Sequence, residues 1–209
     1  MEDKATFYAY LTIHDFFDCF ALETIISSTD TIIRWAAGHS IWKKEQPGDA
    51  LFYLEKLEGL CSAAFVIHER FSIRKEVMID AVEGDVPDLF DTTTYCSSAF
   101  KSNYWNQIPR HLTPRQFFNP YKAINKFCHY MAEPEWTKTL QTLTMYSLNT
   151  DSVLDLFPPY NIIVMRLRLL QLIEACHLIH VRMKNKEKME EAQKKVKQKT
   201  SANKNTNKK

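Results

Sequence analysis

Residues 161–181 read "NIIVMRLRLLQLIEACHLIHV". At about 100° per residue, Leu167, Leu169, Leu170, Leu172, Ile173, Cys176, Leu178 and Ile179 spread around almost the whole helical circumference. A helix that is apolar on all sides belongs in the middle of a bundle. No proline or glycine follows Asn161, so the helical pattern runs on into the lysine-rich end. The expected fold is therefore all-α. It is a single bundle of six or seven helices, with a long, mostly apolar central C-terminal helix continuing into a basic extension.

Helix signals upstream agree. In "LTPRQFF", Thr113 is a good N-cap, Pro114 suits the first helical position and Gln116 completes a capping box. Leu112 and Phe117 stand where a hydrophobic staple would join them. Asn119 and Pro120 announce a second helix, "PYKAINKFCHYM", and Pro134 opens a third, "PEWTKTLQTLTMYSL". "TDSVLDLFPPYN" reads as one helical turn stopped by Pro158 and Pro159. Nearer the start, "ATFYAYLTIHDFFDCFALETIIS" places Ile13, Phe16, Phe17 and Phe20 on one face, although "FYAYLTI" also favours a strand. "TDTIIRWAAGHS" predicts a shorter helix ending near Gly38. In "GDALFYLEKLEGLCSAAFVIHERF", Leu54, Leu57, Cys61, Ala64 and His68 form a seam at helical spacing. Residues 80–112 show no sustained period and read as a long connection.

The chain's 4 glycines argue against an all-β fold rich in tight turns. A net charge of +2 conceals an asymmetry. Residues 182–209 hold 11 Lys and Arg against three acids, net +8, which leaves residues 1–181 at net −6. The expected division is a helical domain at 1–181 and a Lys-rich, helical-to-disordered tail at 182–209. Lysine outnumbers arginine in that tail, favouring diffuse attraction to phosphates or to an acidic protein over bidentate recognition. The 5 cysteines are widely spaced without a C-x-x-C pair, which suits reduced, buried thiols. Neither a signal-peptide pattern nor a bilayer-length apolar run is present, so a cytoplasmic protein with no membrane partner is expected.

Polar residues inside the apolar helix raise a sharper question. Glu174, His177 and His180 form a diagonal stripe. An E-x-x-H pair is half of a ferritin-like di-iron site, but no second E-x-x-H occurs. A mixed site could instead draw on Glu174, His177, His14, Asp18 and His68, a donor set suited to zinc, iron or manganese. The competing reading pairs Glu174 with an arginine such as Arg70 or Arg74 and leaves the histidines neutral and hydrogen-bonded in the core.

A second pattern is Arg34-x-x-x-x-His39 in "RWAAGH". It resembles the R-x4-H motif of HEPN ribonucleases, which are small, all-helical and usually dimeric. The resemblance covers six residues, and it implies that Arg34 stabilises charge on a scissile phosphate while His39 assists proton transfer, in a homodimer. Trp35 stands where that family often has a polar residue. No G-x-S-x-G elbow, phosphate loop or dinucleotide fingerprint occurs. The leading expectation is a non-enzymatic interaction module whose basic tail contacts nucleic acid or an acidic partner. The alternative is an enzyme, either metal-dependent or HEPN-like.

Overall fold

The computed structural model describes residues 4–38, 47–74 and 107–206. Among them are seven α-helices, one 3-10 turn and no strand. The helices are α1 (Lys4–Cys19), α2 (Leu22–Ala37), α3 (Pro47–Arg74), α4 (Pro114–Phe118), α5 (Tyr121–Tyr130), α6 (Glu133–Ser147) and α7 (Pro159–Thr206). The 3-10 turn, Val153–Asp155, is the turn expected before Pro158 and Pro159, and the Ser152 hydroxyl caps it by accepting from the Leu154 N–H.

The helix α7 touches α1, α2, α4 and α5, while α3 packs on α1, α5 and α6. Every residue from Leu169 to Val181 is buried. The covered part of α7 is thus shorter than the long apolar helix anticipated, and it includes Gln171, Glu174, His177 and His180. Toward the start of α7, Tyr160, Ile163 and Leu167 are exposed. The helix crosses residue 181 without interruption. No described helix is long and apolar enough to cross a membrane.

The start of α4 forms as its sequence dictates: Thr113 accepts from the Gln116 N–H, and the Gln116 side chain accepts from the Thr113 N–H. Leu112 and Phe117, the staple pair, both pack on Leu178 of α7. The segment "FYAYLTI" lies inside α1, because Ala9, Ile13, Phe16 and Phe17 fall on one buried helical face.

One boundary differs from the sequence reading. The chain breaks at Phe20–Ala21, and α2 then runs through Ser27, Ser28 and Thr29 without a new start. These residues resemble a cap, yet the hydroxyls of Thr29 and Thr31 donate back to the carbonyls of Ile25 and Ser27, at 2.8 and 2.6 Å. A hydroxyl satisfied within its own helix no longer marks an end.

Candidate functional site

Four positions of α7 fasten the segment from Ile108 to Phe118. Gln171 Nε2 donates to the His111 carbonyl at 3.0 Å, and Gln171 Oε1 accepts from Arg168 at 3.1 Å. Glu174 is fully buried. Its Oε1 accepts from the Arg110 N–H (2.8 Å) and from His111 Nδ1 (2.7 Å). Its Oε2 accepts from the N–H groups of His111 (2.7 Å) and Leu112 (3.1 Å). Leu178 supplies the apolar contact with Ile108, Leu112 and Phe117. Arg182 then donates to the carbonyls of Phe117 (2.7 Å) and Phe118 (3.1 Å), which end the five-residue α4. The spacing 171, 174, 178, 182 keeps all four on one side of the helix.

This is the answer to the acid in the apolar helix. A buried carboxylate is tolerable when its lone pairs are satisfied, and Glu174 is satisfied by three backbone N–H groups and one imidazole. Because a carboxylate only accepts, His111 Nδ1 carries a proton and donates it to Glu174 Oε1. Coordinating a metal would require Glu174 to give up those bonds.

The five residues considered as metal ligands occupy three different places. Glu174 holds residues 110–112. His68, on α3, lies edge to face with His129 of α5 at 5.0 Å between ring centroids. Burial and the neighbouring His129 lower the His68 pKa. His14 and Asp18, on α1, are joined by a 3.0 Å contact and face His180 and Lys184 of α7. His177 contacts the ring of Phe17, as does His180. Among the described residues, no three His, Cys, Asp or Glu side chains are grouped as a metal ion would need.

Burial decides the chemistry of the two α7 histidines. It lowers the pKa of His177 to about 3, with a further contribution from His180. His180 falls to about 4 through burial and the charges of Lys184 and His14, opposed by Asp18. Both rings are therefore neutral at pH 7. Unlike the hydrogen-bonded core histidines anticipated, Nδ1 of His177 and both nitrogens of His180 have no partner among the described residues. Asp18 is pushed up by burial, but its bond to Lys184 and the charges of His14 and Lys184 outweigh that and lower its pKa.

A cleft of about 690 Å³ runs along α2 beside the fastened segment, lined by residues that include Glu23, Asp30, Arg34, Trp35, Arg110 and His111. Arg34, from the R-x4-H pattern, is exposed in the last turn of α2; His39 lies outside the described residues. Across the middle of α2, Arg166 makes a bidentate pair with Asp30, both contacts at 2.8 Å. His111 and Gln171 gave no signal in the sequence, since neither sits in a recognisable motif. Arg182 was visible only as the first residue of a basic run.

The fold and this site define a helical bundle that pins an incoming segment with a buried carboxylate. No protein-family model, curated protein or solved structure matches the chain.

Proposed function

We propose that this chain is a non-enzymatic interaction module whose basic C-terminal helix engages nucleic-acid phosphates. The observation that supports the reading is the continuity of α7: one helix extends from the buried segment 169–181 to Thr206. The lysine-rich sequence is thereby tied to a rigid core, which lowers the ordering cost of presenting its charge. Arg182 and Lys184 belong to the body, through Phe117, Phe118 and Asp18. Beyond them, residues 185–209 carry nine lysines against three acids, net +6, while residues 1–184 are net −4. Opposite charge on one chain favours a polyanionic partner at the tail and disfavours one at the body.

The test replaces Lys188, Lys194, Lys195, Lys197 and Lys199 with Gln in the full-length protein. Binding to labelled RNA and DNA duplexes is then read by fluorescence anisotropy. Loss of binding to both duplexes is expected. A variant that binds nucleic acid like the parent protein would end the proposal, and binding confined to an acidic polypeptide would redirect it to a protein partner.

A further inference from the structure

The cleft along α2 has two chemically different ends. Asp30 pairs with Arg166, and the Ala37 carbonyl accepts from Ser152, just before α7 begins. The chain of α7 therefore runs opposite to α2, and Glu174 lies toward the α2 N-terminus. His111, held by Glu174, sits at that end with Glu23, while Arg34 and Trp35 occupy the other. A rise of about 1.5 Å per helical residue, over the residues from Glu23 to Arg34, separates the two ends by on the order of 16 Å along α2. One phosphate cannot touch both. The cleft's volume of about 690 Å³ falls within the range of small-molecule sites.

We infer that this cleft binds a small molecule carrying an oxyanion at one end and a hydroxyl or amino group at the other. That chemistry is shared by sugar phosphates, nucleoside monophosphates and sugar acids. Arg34 provides a planar guanidinium for the oxyanion. At the far end, His111 Nε2 hydrogen-bonds the hydroxyl or amino group. Glu174 is a positioning residue: it fixes the ring's tautomer and orientation from a fully buried site. Asp30 does not repel the ligand, because Arg166 neutralises it. Glu23 and Arg110 are already engaged within the protein. The inference does not depend on the basic tail.

The experiment follows the imidazole nitrogen resonances of the full-length, 15N-labelled protein, with His111 assigned from His111→Gln. The probes are ribose 5-phosphate, adenosine 5′-monophosphate, gluconate and inorganic phosphate alone. A spanning ligand is expected to shift His111 Nε2 saturably, and Arg34→Gln, an exposed substitution that leaves the core intact, should weaken that response about tenfold. Inorganic phosphate should leave His111 unmoved. Which of the three larger probes acts identifies the oxyanion. A His111 ring that serves only the fold would not respond. No response to any larger probe, or one unchanged in Arg34→Gln, would overturn the inference.

Discussion

Acidification from pH 7 to pH 5 should strip this protein of about 4 kcal/mol of stability through two side chains. His177 and His180 titrate at about 3 and about 4 in the folded chain, against about 6.5 when unfolded. Below pH 6.5 the unfolded state therefore takes up protons that the folded state refuses, and stability falls with pH until the folded values are reached. At pH 5 each histidine accounts for about 2 kcal/mol of that loss, which is large against a typical 5–15 kcal/mol total. The groups facing them are His14, Asp18, Lys184 and the Phe17 ring. The lowered pKa of Asp18 confines its own contribution to below about pH 4, outside this window. His68, lowered for the same reason as the α7 pair, adds a smaller slope of the same sign. Urea unfolding at pH 7 and pH 5 measures the difference. The His177→Leu/His180→Leu double variant should lose most of the pH dependence. It should also remain folded at pH 7, since it removes buried nitrogens that have no partner among the described residues. A parent protein equally stable at both pH values, or a double variant with an undiminished slope, would refute the reasoning.

Glu174→Ala should cost about 3–5 kcal/mol in the same assay, by leaving buried N–H groups unpaired, and Glu174→Gln should cost less because an amide oxygen still accepts. Thr113→Ala removes the cap of α4 and should cost about 1 kcal/mol by chemical denaturation. Asp30→Asn breaks a half-exposed pair and should change stability by less than about 1 kcal/mol. In a Cys96→Ser background, a thiol reagent at pH 8 should modify exposed Cys19 rapidly. Cys61, Cys128 and Cys176 should stay unreacted until the chain unfolds, since burial raises all three thiol pKa values, that of Cys128 to about 12.

What was legible in the sequence is what local chemistry writes there. Thr113, Pro114 and Gln116 announce α4 because cap and capped group lie three residues apart. The buried run of α7 is legible because its neighbours are contiguous. The break at Phe20–Ala21 is silent. Ala21 takes an extended ψ of 146° with no side-chain cap, so packing of the separate helical faces sets it. The partner of Glu174 is equally silent: His111 is 63 residues away, and three of the four bonds come from backbone N–H groups that any sequence would supply. Arg182 illustrates the same limit. Composition assigns it to the basic tail, whereas its guanidinium closes α4.

The most direct test of the proposed function is the salt dependence of nucleic-acid binding by the full-length chain. Affinity for a short RNA duplex and its DNA counterpart is measured between 50 and 200 mM monovalent salt. A lysine-driven interaction predicts a linear fall of log K with log salt concentration, steep enough to indicate several neutralised phosphates, at about 0.9 per phosphate for duplex DNA. Absence of binding at 50 mM, or an affinity indifferent to salt, would contradict the proposal.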